Sequence, residues 1–360
     1  MSKSSTQSVT IHDVARLSGV SYQTVSRVIN NQANVAAPTR LRVQQAVEAL
    51  DYRPSILAKS LVTRRSQLIG VIAHGMNQYG PSQILQNVQE SAHSFGYEIM
   101  LTTLQQVKLE EVSEQDVLTA ALRLRQFGVD GLMLLTNYDA HDIVKGLGRS
   151  LPFVLIDAAA DVEGPTVSID QFEGAVMAAR HLVSLGHRRI LQITGPRGWS
   201  DAQLRREGFA HVIESEGLDT LPIYEGDWSA QSGYAVTRQA LADGEVFTAI
   251  FAGNDQMALG VLAALAEAGL DVPQQVSVVG FDDTPESAYY APPLTTVNQN
   301  FALLGRRSME ELKRLIEQLP GESAHHRAHH LIFQPQLVLR STTAPAMTQA
   351  AEASSLSRVC

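Results

Sequence analysis

From residue 66 onward the chain alternates apolar runs with amphipathic stretches, and that alternation leaves few folds open. The runs QLIGVIAHG (67–75), YEIMLTTL (97–104), VDGLMLLT (129–136), PFVLID (152–157), RRILQITG (188–195), TAIFAGND (248–255) and VSVVGFDD (276–283) read as strands. Helical spacing recurs between them, near 82–95, 114–127, 171–185, 201–216, 230–242, 256–268 and 302–318. Several of these stretches close on glycine, as at Gly186, Gly217 and Gly269. Continuous apolar strands separated by amphipathic helices require parallel sheets covered on both faces. Residues 66–343 exceed one six-stranded sheet, so the expected class is α/β with a two-lobed core.

Charge separates the head of the chain from this body. Residues 1–65 hold nine Lys and Arg against three Asp and Glu, a formal +6, whereas the remainder carries −15. A small basic module on a large acidic one suggests polyanion binding confined to the head. Thr10 is a good N-cap for a helix over 10–17, with Asp13 placed to suit the helix dipole. Gly19 permits a tight turn, a second helix starts at Ser21, and a third runs from about Pro38 to Leu50 with Val43, Ala46, Val47 and Leu50 on one face. Two short helices joined by a Gly-containing turn, with a third across them, form a helix-turn-helix module. Its second helix enters the major groove, where Tyr22, Gln23 and Arg27 are the long polar side chains available to base edges. Ser21, Thr24, Ser26 and Asn30 are suited to phosphates.

The run VTIHDVARLSGVSYQTVSRVINNQANV resembles the headpiece of the lac repressor (LacI/GalR) family of bacterial transcription factors. The resemblance extends over residues 10 to about 342 and implies a periplasmic-binding-protein-like core. It implies that Thr10 and Asn34 also lie at the DNA, and that residues 51–65 form a hinge helix on the operator, with Leu61 inserted into the minor groove. Apolar wedges of this kind are an established minor-groove device. The expected division is therefore a headpiece at 1–50, a hinge at 51–65, an effector-binding and dimerisation core at 66–343, and a disordered tail at 344–360. The tail holds a single leucine, Leu356, and no heptad, so a homodimer is expected on palindromic double-stranded operator DNA.

Ligands of parallel α/β sheets bind beyond the carboxyl ends of the strands. His74, Asp157, Asn254 and Asp282 end or follow such strands, Arg205 opens a helix, and Trp228 lies in the connection GDWS. Two carboxylates, a guanidinium, a carboxamide and an indole suit a small sugar effector, with an aromatic platform for the pyranose face. By resemblance Pro81, Ile84, Gln299 and Phe301 line the rest of the cleft. Gln106, Asp201 and Ile169 depart from the family's galactoside-binding pattern. A galactoside inducer is the first expectation, with another sugar or a corepressor as alternatives.

No nucleophile elbow, P-loop or dinucleotide fingerprint occurs, so catalysis is not expected. The one cysteine is Cys360, and the histidines 325, 326, 329 and 330 read as a surface loop, so neither a metal nor a cofactor is expected. The opening segment lacks an apolar core and no run reaches ~18 apolar residues, which points to a cytoplasmic chain off the membrane. Both features, with the basic head, weigh against a transporter's sugar-binding protein.

Overall fold

The structure, a computed structural model, describes residues 9–29, 34–52, 65–104, 113–135, 141–147, 151–158, 162, 164–318 and 329–347. The chain divides into two compact units between Gln67 and Leu68.

The first unit contains α1 (Ile11–Ser18), α2 (Tyr22–Ile29) and α3 (Ala37–Ala49). Asp13 caps α1 by accepting from the Thr10 backbone N–H at 3.0 Å and its hydroxyl at 2.7 Å. Gly19 takes φ 65°, the left-handed conformation the turn needs. Ser21 caps α2 through the Thr24 N–H at 3.2 Å. Val14, Ala15, Val25, Val28, Val43 and Ala46 close a small core.

The second unit contains, in chain order, β1 (Leu68–Ala73), α4 (Tyr79–Ser94), β2 (Glu98–Thr103), α5 (Glu114–Gln126), β3 (Gly131–Leu135), α6 (His141–Leu147), β4 (Phe153–Ile156) and β5 (Thr166–Ile169). It continues with α7 (Gln171–Ser184), β6 (Ile190–Thr194), α8 (Ser200–Ser215), β7 (Ile223–Glu225), α9 (Ala230–Ala242), β8 (Ala249–Ala252), α10 (Asp255–Glu267) and β9 (Ser277–Val279). It ends with β10 (Thr296–Asn298), α11 (Phe301–Glu317), β11 (His330–Phe333) and β12 (Gln336–Val338). One lobe is built on a six-stranded parallel sheet ordered β11-β5-β4-β3-β1-β2. The other is built on a four-stranded parallel sheet ordered β7-β6-β8-β9, beside an antiparallel β10-β12 pair. The central strands β1, β3, β4, β6 and β8 are buried almost throughout, as parallel strands covered on both faces must be.

The chain crosses between lobes three times, after β5, after β10 and after β11. The crossings are tied together: Asp170 N–H donates to Phe333 O at 2.9 Å, Gln334 to Asp170 at 3.2 Å, and Gln171 to Gln299 at 2.7 Å. Helix α11 thereby returns to the first lobe and packs on α4, where a Cβ at Gly305 would stand 2.7 Å from the Asn87 backbone.

Some expectations need correction. Strands β5, β7, β10, β11 and β12 were not anticipated, and His330, expected in a loop, opens β11 and bonds Thr166 at 2.7 Å. The tail does not loosen at 344, because Ala344 N–H donates to Ser277 at 3.0 Å and Ala346 N–H to Leu185 O at 2.8 Å. Residues 348–360 lie outside the described residues, as do 53–64, which contain Leu61 and most of the expected hinge.

Candidate ligand cleft and nucleic-acid interface

Carboxyl ends of strands from both lobes converge on a cleft lined by residues of both. Asp157 follows β4; Trp199, Asp201 and Arg205 come from the β6–α8 passage; Trp228 lies between β7 and α9; Asn254 heads α10; Asp282 follows β9. Pro81 and Ile84 come from α4, and Gln299 and Phe301 from the crossing into α11. Each of these residues lines the cleft. His74 does not: it is buried with its ring 5.5 Å from Trp199, behind the wall. Ile169 also packs in the lobe core and contributes only its N–H, donated to Asp157 Oδ1 at 3.1 Å. Gln106 is outside the described residues.

The backbone is strained where the site is built. Asp157, Trp228 and Asp282 have φ of 57°, 73° and 109°, unusual for residues with a side chain. Trp228 packs so closely on Gly195 that a Cβ there would stand 2.2 Å from the indole. Trp199 and Trp228 meet edge to face at 5.9 Å.

Arg205 organises the floor. Its Nε donates to Gln171 at 2.9 Å, and one terminal nitrogen donates to Gly253 O at 2.6 Å while lying 3.6 Å from Asp282. The guanidinium lies 3.8 Å over the Phe281 ring. Asp282 also accepts from Gln299 at 2.6 Å, and Gln299 accepts from Gln171, which closes a ring of partners across the crossings. Asn254, expected to read the ligand, is largely committed internally. Its oxygen caps α10 at Met257 N–H, 2.8 Å, while its amide donates to Trp228 O and Gln256.

The carboxyls are perturbed by their setting. Burial pushes Asp282 up to about 6 against the pull of Arg205 and Gln299. Burial, then the neighbouring Asp201, pushes Asp157 up to about 8, and burial also raises Asp201. The sequence reading missed Asp255. It is fully buried, accepts from Thr296 at 2.5 Å and Thr284 N–H at 2.8 Å, and burial followed by the Asp282 charge pushes it up to about 8. It also missed Tyr79 and Trp199 as wall residues, although Trp199 is one of only two tryptophans.

On the headpiece, Tyr22, Gln23, Arg27 and Ser21 are exposed on or beside α2, and Asn34 is exposed beyond it. Thr24 and Ser26 are half-buried, and the Ser21 and Thr24 hydroxyls pair at 3.0 Å. Thr10 is exposed with its hydroxyl given to Asp13, and Asn30 is outside the described residues. The exposed His12, which the sequence reading did not single out, lies 5.6 Å from the Tyr22 ring. Among the described residues no His, Cys, Asp or Glu cluster is placed to hold a metal ion, and no helix is long and apolar enough to cross a membrane.

Residues 10–55 match the model of bacterial regulatory proteins of the lacI family, and residues 179–343 that of a periplasmic binding protein-like domain. The lactose operon repressor of Escherichia coli (strain K12) is 35% identical over 345 residues, 95% of this chain and 93% of that protein. The HTH-type transcriptional repressor PurR of Haemophilus influenzae (strain PittEE) is 33% identical, covering 92% of this chain and 98% of the relative. Among solved structures, a lac repressor dimer bound to operator and the anti-inducer ONPF superposes with TM-score 0.85 at 34% identity, covering 94% of this chain and all of that one. A CelR–cellobiose complex superposes with TM-score 0.66 at 28% identity, covering 93% and 99%.

Proposed function

The chain belongs to the lacI family of bacterial regulatory proteins, as a DNA-binding transcriptional repressor and not an enzyme, and from that premise we propose how it is controlled. It binds a palindromic operator as a homodimer, one α2 per half-site, and a small saccharide in the cleft releases it. Symmetry supports the dimer, since one headpiece reads one half-site. It acts in the cytoplasm, where the DNA is.

The observation that carries the ligand class is the pairing of acceptors with aromatic rings at the carboxyl ends of two facing sheets. Asp157, Asp201 and Asp282 offer acceptors for hydroxyls, and Trp199 and Trp228 offer apolar faces. The solved CelR relative, bound to cellobiose, supports the same class without fixing the stereochemistry. A galactoside is the first of the saccharides to try.

The switch is a two-state one. Three tied crossings let one lobe turn against the other about Asp170, Gln299 and Gln334. A ligand that touches both lobes favours one arrangement by the difference in its affinity for the two. That difference reaches the headpieces through residues 51–65. The test is anisotropy of a labelled lac-type palindrome against its single half-site, at one stated salt concentration. Tight binding to the palindrome alone, as two chains per duplex, is expected; equal binding to the half-site sinks the dimeric reading.

A further inference from the structure

We propose that the effector carries a protonated amine, received jointly by Asp157 of one lobe and Asp201 of the other; this rests on the saccharide reading above. Asp201, in the first turn of α8, makes no hydrogen bond or ion pair with another described residue. Asp157 gives one oxygen to the Ile169 N–H, leaving Oδ2 for a ligand. The only basic side chain lining the cleft among the described residues is Arg205. Its charge is already matched by Asp282, two of its five N–H donors go to Gln171 and Gly253 O, and its face lies on Phe281. Two carboxyls therefore face the cleft with no ion pair of their own, sharing only the pull of the Arg205 charge that Asp282 already engages.

A second feature points the same way. Trp228 is 6% exposed, lines the cleft, and its Nε1 has no hydrogen-bond partner among the described residues. It supplies one donor for a ligand oxygen; its own ring already has the Arg205 guanidinium 5.5 Å from its centroid, which leaves Trp199 as the aromatic wall for a ligand cation. An ammonium group brings three N–H donors and one positive charge, which suits two carboxylates and a π face together. At pH 7 the raised Asp157 carboxyl largely holds its proton; a hydroxyl-only ligand leaves that proton in place, whereas an ammonium entering between Asp157 and Asp201 displaces it. Burial already raises both carboxyls, and the amine stands where that proton would be.

The experiment is calorimetric titration of the full-length protein with D-glucosamine, D-galactosamine and D-mannosamine, each against its N-acetyl counterpart, at pH 7. At least one amine is expected to bind tenfold or more tighter than its neutral partner, with proton release. In Asp201→Asn, and separately in Asp201→Ser, the gap should shrink below about threefold. Both variants are expected to melt at or above the wild-type temperature, because a like charge is removed. Equal or tighter binding of the neutral forms overturns the proposal, as does a gap that survives both substitutions. Duplex release is scored in parallel. A neutral saccharide that alone frees the DNA overturns the amine and leaves the repressor reading standing, whereas binding of neither class overturns both.

Discussion

Arg205 and Asp282 face each other at 3.6 Å with each side chain only 6% exposed, and neither charge has water to fall back on. Removing one partner leaves the other buried and uncompensated. Arg205→Ala is expected to lower unfolding stability by about 3–5 kcal/mol and to abolish ligand binding. Denaturant unfolding, followed by circular dichroism, measures the first effect. A loss under about 1 kcal/mol would show that the pair is not the floor of the cleft.

The buried carboxyls give stability a definite pH slope. In Asp282 and Asp255, burial raises the folded pKa to about 6 and about 8, above the ordinary carboxylate value. The folded state then holds more protons than the unfolded state between about pH 4 and pH 8, so stability falls as pH rises through that window. The thermal midpoint should drop between pH 5.5 and pH 8.5, and Asp255→Asn should flatten the drop. A midpoint that climbs with pH over that range would contradict the assignment.

Both tryptophans of the chain, Trp199 and Trp228, line the cleft. Intrinsic fluorescence should therefore shift on ligand binding, with no tryptophan of the headpiece to contribute. Trp228→Phe removes the unpartnered Nε1 and part of the wall, and should weaken ligand binding by roughly 1 kcal/mol, about fivefold. Unchanged affinity would remove Trp228 from the ligand's contacts.

Arg27 is exposed on α2 and contributes nothing to the Val14, Val25, Val43 core. Arg27→Ala should cost about 1–3 kcal/mol of specific operator affinity and relax preference at one base pair. Leu61→Ala should also weaken specific binding, through the minor groove, while saccharide affinity stays at the wild-type value. Uniform weakening on all sequences, read by competition with mixed DNA, would make Arg27 a phosphate contact instead.

The central strands were legible because parallel strands covered on both faces leave uninterrupted apolar runs, as in GLMLL and ILQIT. Edge position alone does not hide a strand, since β2 and β9 also end their sheets and were legible as apolar runs. Edge strands that are both short and partly exposed carry no such signal. Ile223–Glu225 and His330–Phe333 are short and partly exposed, and only pairing over long sequence distances makes them strands. The rule that ligands sit beyond strand carboxyl ends placed Asp157, Asn254 and Asp282 in the cleft. It misplaced His74, whose position after β1 is right but whose ring turns behind Trp199. Asp255 escaped because nothing local distinguishes a helix-start aspartate from a buried brace held by Thr284 and Thr296. The tie between Gln171 and Gln299 joins residues far apart in sequence, and no local pattern announces it.

The central claim is that a saccharide in the cleft governs DNA binding at the headpiece. The most direct measurement is anisotropy of a labelled palindromic duplex held by the full-length protein while saccharides, neutral and amino, are titrated in. The account predicts release by at least one of them, and no release of the same duplex from Asp157→Ala at the same concentration. Tight duplex binding that no saccharide disturbs, or release that persists unchanged in Asp157→Ala, would contradict it.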